Sequence, residues 1–185
     1  NRNYIKSEGV KFLKKINLKN IKDLNLAYNE INSIGMQYLS EIDLSSILFL
    51  RLSANLIGNE GMKFFSKIKF NNIELLDLSY NNITDEGIKY LFNLNLISLR
   101  KLDLNSNFIS EIGAKYLSEV NLRNLKILDI SSNKIKDEGL RYLSNGICLE
   151  LIEINLDDNL IEGKSLRNLS EKFLNSIEIL KLNRN

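Results

Sequence analysis

An asparagine returns every 26 residues along this chain, as Asn3, Asn29, Asn55, Asn81, Asn107, Asn133, Asn159 and Asn185, with no insertion or deletion between copies. A strict period of this length means stacked copies of one supersecondary unit, because a single unit cannot bury its own apolar face. Other positions keep the same step. Two residues after the Asn stand Ile5, Ile31, Ile57, Ile83, Ile109, Ile135 and Ile161. Three and five residues before it stand apolar pairs such as Leu24 with Leu26, Leu50 with Leu52 and Leu102 with Leu104. Six after it comes a glycine, from Gly9 to Gly139, until Ser165 replaces it.

Two shorter periods alternate inside each unit. Leu102-Asp103-Leu104 alternates apolar and polar, which predicts a short strand with one buried face. Ala114, Leu117 and Val120 recur at three-residue steps, which predicts one face of a short helix. Each unit is therefore strand, turn, helix of two to three turns and return loop. Seven strands at roughly 4.8 Å per step would span about 30 Å. Helices are wider than strands, so the stack is expected to curve with the strands inside. The repeated Asn sits where the chain leaves the strand, where its amide can bond backbone groups that the turn leaves unpaired and form a ladder along the stack. The glycine is expected to let the start of one helix approach the neighbouring unit.

The run Leu99-x-x-Leu102-x-Leu104-x-x-Asn107-x-Ile109, followed by Gly113 and Leu117, resembles a leucine-rich repeat. The Gly-x-x-x-Leu helical half is similar to the ribonuclease-inhibitor-like branch and to related bacterial repeats. The resemblance implies a right-handed α/β solenoid over residues 1–185, with a parallel sheet on its concave face and helices on its convex face. It also implies a module that binds another protein through the concave face. Two more specialised roles go with it: a bacterial effector or effector-regulating protein acting in a host cell, or the substrate-recognition arm of a larger enzyme such as a ubiquitin ligase. The implied location is the cytoplasm or, after secretion, a host cytosol. The chain begins and ends at one phase of the motif without a visible cap, which predicts flanking sequence in a longer protein.

Composition narrows the function classes. The 185 residues contain no histidine and one cysteine, which removes His-based general-base catalysis, the usual catalytic triads and an internal disulfide framework. No enzyme activity and no cofactor are expected. Twenty-five Lys and Arg balance 23 Asp and Glu, for a net charge of +2, which argues against a nucleic-acid binder with a dense basic field. No apolar run is long enough to cross a membrane, and no membrane or small-molecule partner is expected. Cys148 stands where other units carry Leu18, Leu44, Phe70, Leu96 and Leu122, and reads as a small buried hydrophobe.

Positions that change from unit to unit carry the candidate site. Residues flanking the buried strand leucine point to the concave face. One row reads Asp23, Phe49, Leu75, Lys101, Ile127, Glu153 and Ile179; the next reads Asn25, Arg51, Asp77, Asp103, Asp129, Asn155 and Lys181. The exit row carries Tyr28 and Tyr80. Apolar groups that the core does not need, rimmed by charge, mark an interaction surface. The expected partner-binding residues are Tyr28, Phe49, Arg51, Leu75, Asp77, Tyr80, Lys101, Asp103, Ile127, Asp129 and Glu153. Asp77, Asp103 and Asp129 would stand side by side and repel. They read either as a docking strip for a basic partner or as carboxylates that bond neighbouring hydroxyls; no loop pattern supports a metal there. On the helices, an aromatic row (Phe12, Tyr38, Phe64, Tyr90, Tyr116, Tyr142) reads as rings wedged between helices. Its basic neighbours Lys11, Lys63, Lys89, Lys115, Arg141 and Arg167 read as a solvated face.

Overall fold

The computed structural model of the protein describes residues 4–146 and 150–185, so Asn3 and Cys148 lie outside the described residues, as do the side chains of Asn168 and Lys172. Each unit gives up three residues to a strand: β1 Asp23–Asn25, β2 Phe49–Arg51, β3 Leu75–Asp77, β4 Lys101–Asp103, β5 Ile127–Asp129, β6 Glu153–Asn155 and β7 Ile179–Lys181. The seven pair in sequence order as one parallel sheet, and every register step is 26 residues, from Asp23 opposite Phe49 to Asn155 opposite Lys181. The sequence period therefore becomes the sheet register directly. The backbone ladder continues beyond the strands: the amide of Tyr28 donates to the carbonyl of Ser53, and that of Tyr80 to Asn105.

The crossover of each unit is helical: α1 Lys6–Leu13, α2 Ser33–Ser40, α3 Gly58–Phe65, α4 Asp85–Lys89 with a 3₁₀ turn at Tyr90–Asn93, α5 Glu111–Glu119 and α6 Lys136–Gly146. The last unit departs from the pattern where the sequence drifts. Its crossover is a 3₁₀ turn at Ser165–Asn168 and then a displaced helix α7, Glu171–Ser176, which the Ser170 hydroxyl caps by accepting from the Phe173 amide. Helices pack on neighbouring helices and strands on neighbouring strands. Helices are about 10 Å across and strands are set about 4.8 Å apart, so the strand layer takes the inner side of the arc.

Between the two layers runs one continuous apolar core. Leu50, Leu76, Leu102 and Leu128 from the strands, Ile31, Ile83 and Ile109 from the turns, and Leu39, Leu91 and Leu117 from the helices are fully buried in it. Glycine at the helix start is set by close approach. A Cβ on Gly113 would lie 2.4 Å from Oδ1 of Asp85 in the preceding unit and 2.6 Å from Cγ2 of Ile109. That Asp85 oxygen accepts the Gly113 amide at 2.9 Å and the Ser110 amide at 2.7 Å, so one unit caps the helix of the next.

The asparagine forms the expected ladder. Oδ1 of Asn107 accepts the amides of Asn81 and Ile83 in the preceding unit, at 3.1 and 2.9 Å. Its Nδ2 donates to the carbonyls of Leu78, Leu104 and Asn105. Asn55 repeats all five bonds one unit pair earlier, and Asn185 closes the amides of Asn159 and Ile161 at the far end.

The helix-side rows interlock. Lys11 lies over the ring of Tyr38, Lys89 over Tyr116 and Lys115 over Tyr142, each cation 5.1–5.9 Å from a ring of the following unit. Tyr38, Phe64, Tyr90 and Tyr116 are partly buried against the core, while Phe12 is exposed. The aromatic and basic rows thus hold adjacent helices together through cation–π contacts.

Candidate functional site

The inner sheet face is built as parallel lanes that cross the strands. The first lane is Phe49, Leu75, Lys101, Ile127 and Glu153, neighbours in register on β2 to β6. Two residues further along each strand lie Arg51, Asp77, Asp103, Asp129 and Asn155. The intervening leucines and isoleucine are fully buried, so period-two alternation sends both lanes to the opposite face. Phe49, Leu75 and Ile127 are half-buried there and outside the core, Phe49 beside Leu75 and Ile127 between Lys101 and Glu153.

Each residue of the second lane that carries a short side-chain oxygen closes a local turn. Oδ1 of Asp77 accepts the amide and the hydroxyl of Ser79, and Oδ1 of Asp129 accepts both from Ser131. Oδ1 of Asp103 accepts the amide of Asn105 at 3.0 Å. Asn25 and Asn155 make the same bond to the amides of Ala27 and Asp157, at 3.0 and 3.1 Å, without a charge. The expected bonding to neighbouring hydroxyls is therefore present at Asp77 and Asp129, whereas Asp103 has an amide partner only, and in each case the turn uses one oxygen of the carboxylate. The second oxygen of Asp129 accepts the Asn155 amide at 3.0 Å.

The middle carboxyl feels this crowding. Burial pushes the Asp103 carboxyl up from its ordinary 3.8 to about 6; Asp77 and Asp129 add to the rise, and the Asn105 amide and Lys101 oppose it. Cations elsewhere on the face are occupied. Arg51 pairs with Asp23 at 2.5 Å, Lys181 with Glu153 at 2.5 Å and Arg184 with Asp158 at 2.7 Å. Glu153 and Arg51, both expected in the site, thus lie in ion pairs, whereas Lys101 makes no ion pair among the described residues. No three acidic or cysteine side chains there converge as metal ligands.

Tyr28 and Tyr80 stand at the rim, one residue past the sheet face. The exit position has positive φ in every unit, at Tyr28 (60°), Ala54 (51°), Tyr80 (55°), Ser106 (52°), Ser132 (51°), Asp158 (56°) and Arg184 (52°). This left-handed turn throws the side chain outward. The sequence reading missed the residue just after the Asn. Leu56 and Phe108 are 54% and 50% exposed there, beside Tyr28 at 50% and Tyr80 at 58%. The two positions alternate. Where the exit residue is Tyr28 or Tyr80, the residue after the Asn (Glu30 or Asn82) is also left-handed. Where the exit residue is Ala54 or Ser106, Leu56 or Phe108 instead donates its amide to Ile31 or Ile83, both at 2.8 Å. The outcome, at these two rim positions, is one large exposed apolar side chain per unit over four consecutive units. A comparison of the residues just after each Asn would have exposed the alternation in the sequence.

The expected residues therefore fall into three groups. Phe49, Leu75, Lys101 and Ile127 share the apolar lane with the ion-paired Glu153. Asp77, Asp103 and Asp129 share the next lane with the ion-paired Arg51. Tyr28 and Tyr80 form part of a separate rim ridge. No helix of the described residues is long and apolar enough to cross a membrane.

Comparison with known proteins bears on the repeat itself. A two-copy leucine-rich-repeat family model matches residues 97–144, and a single-repeat model matches residues 17–40 and 70–92, together about half of the chain. No curated protein matches the chain. Among solved structures it is similar to a TDR receptor, with 14% identity over 91% of this chain and 40% of the receptor chain, at a TM-score of 0.35. It is also similar to the plant peptide hormone receptor RGFR1 in its complex with RGF2, with 17% identity over 90% of this chain and 38% of that one, at a TM-score of 0.29. The chain thus spans about two-fifths of either receptor chain. With the motif, the parallel sheet in sequence order and the asparagine ladder in place, the chain is a leucine-rich-repeat protein.

Proposed function

We propose that this chain is a non-enzymatic protein-binding module of the ribonuclease-inhibitor-like helical type, and that its partner docks on the inner strand face and the adjoining rim. The observation that carries the reading is the set Phe49, Leu75 and Ile127. These side chains stand half-buried on the face away from the core, so their apolar character serves no internal packing. The exposed ridge at Tyr28, Leu56, Tyr80 and Phe108 extends that apolar area to the edge. Aromatic side chains of this kind supply most of the binding energy in protein interfaces, with charged neighbours setting specificity.

The test is an affinity capture with the chain and with a Phe49→Ala, Tyr80→Ala variant. Both replaced side chains lie outside the core, so the fold is expected to persist. A protein retained by the parent and lost by the variant supports the face. A protein held equally by both moves the site to the helical side and overturns the reading.

A further inference from the structure

We infer that the strand face accepts a cationic amphipathic helix lying across the strands, with Lys or Arg side chains over the Asp77–Asp103–Asp129 lane and apolar side chains against Leu75 and Ile127. The inference rests on the reading of this face as the docking surface and names the chemistry of the partner.

Charge complementarity carries it. Three carboxylates occupy successive strands in register, opposed on the face only by the unpaired Lys101, while Arg51, Lys181 and Arg184 are engaged with Asp23, Glu153 and Asp158. The whole chain is net positive at +2, so the acidic lane is local and not a sample of an acidic protein. The fold does not need these charges. Asn25 and Asn155 close the same turn with an uncharged amide oxygen at the same distance. Three carboxylates where an amide would serve leave a repulsion that an incoming cation relieves. A metal ion is not that cation, since no three acidic groups converge among the described residues.

Spacing selects a helix over an extended segment. Two strand steps cover roughly 10 Å, and a helix places residues i, i+3 and i+7 within about 10.5 Å. An extended chain repeats one face every 6.6–6.8 Å or so, and loses register with the lane after one step. The apolar lane lies two residues away along each strand, a lateral offset of about 7 Å. The adjacent stripe of an amphipathic helix reaches it.

Three synthetic peptides of roughly 20 residues test this, a length at which helicity is measurable in water. One carries Lys at i, i+3 and i+7 beside a leucine stripe, the second has Glu in place of each Lys, and the third is the Lys peptide broken by two central prolines. Binding to the chain is read by fluorescence anisotropy at low and high salt. The expected result is a preference of about tenfold or more for the Lys peptide over both others, shrinking with salt. The Asp77→Asn, Asp103→Asn, Asp129→Asn variant should lose that preference with a thermal midpoint no lower than the parent's, and Lys101→Ala should bind severalfold more tightly. Equal binding of the Lys and Glu peptides, or unchanged binding by the triple variant, overturns the inference. Equal binding of the broken peptide overturns the helix. If a captured protein partner is lost by Phe49→Ala, Tyr80→Ala but kept by the triple-Asn variant, this inference fails while the docking face stands. If both variants keep it, both fail.

Discussion

Two polar rows run the length of the stack a few residues apart, and they are built on opposite terms. The Asn55–Asn81–Asn107–Asn133 row is buried, and each amide spends its oxygen and nitrogen on backbone groups of two units. The Asp77–Asp103–Asp129 row also closes a turn in every unit, but with one oxygen only, and it carries charge that the fold leaves unneutralised. The first row admits one residue type because its neighbours are fixed atoms. The second admits Asn, Asp, Arg or Lys from unit to unit because half of its surroundings is solvent. Repetition alone therefore does not mark function. A repeated polar residue with every bond committed belongs to the frame, and one with bonding capacity to spare belongs to the surface.

The contrast is sharpest in stability. Asn107→Ala strands the Asn81 and Ile83 amides in the interior, while the Leu78 and Leu104 carbonyls keep the Asn81 and Asn133 side-chain amides, and it is expected to cost about 3–5 kcal/mol in a urea titration. A loss under 1 kcal/mol would erase the distinction between the rows. Gly113→Ala probes the other fixed contact. The new methyl meets Asp85 Oδ1 and displaces the Gly113 amide from it, for an expected cost of about 2–3 kcal/mol by the same titration.

Asp103→Asn should run the opposite way. The folded carboxyl titrates at about 6 and the unfolded one at the ordinary 3.8. The folded state therefore binds a proton first, and stability from this group rises as pH falls from 7 through 6 towards 4. At pH 7 the charge is a burden, and its removal should stabilise the chain by about 1–2 kcal/mol after allowance for solvent screening. The difference between parent and variant should vanish near pH 4. That difference isolates Asp103, with Asp77, Asp129 and Lys101 around it, from Asp137 and Glu138, which hydrogen bonds from Ser165 and Arg141 hold below their usual range. The smallest effect is expected at the rim. Leu160 has φ of 62° and its side chain is exposed, so Leu160→Asn should raise stability by about 0.5–1 kcal/mol in thermal melts.

Most of the frame was legible in the sequence because a period without insertions fixes register. Strand partners such as Leu76 and Leu102, the ladder at Asn107 and the close approach at Gly113 all follow from counting in steps of 26. What was not legible depends on offsets near the period rather than on it. Arg51 reaches Asp23 and Lys181 reaches Glu153 across 28 residues, because a long side chain of the second lane leans into the first lane of the preceding unit. Lys11 and Lys89 sit over rings 27 residues ahead. The ridge at Leu56 and Phe108 was hidden for another reason. That position is exposed whichever sign its φ takes, and it varies between apolar Leu56 or Phe108 and polar Glu30 or Asn82, so a search for repeated residue types passes over it.

The asparagine ladder also bears on how such a chain grows. From Asn55 to Asn185 each repeated Asn donates to a backbone carbonyl of the preceding unit and accepts that unit's Ile amide, so the unit of bonding is also the unit of duplication. Copying a 26-residue block into the middle of the stack would supply each new turn with a ready-made neighbour on both sides. The frame would be inherited whole while the lanes on the inner face gained one new, freely editable position each.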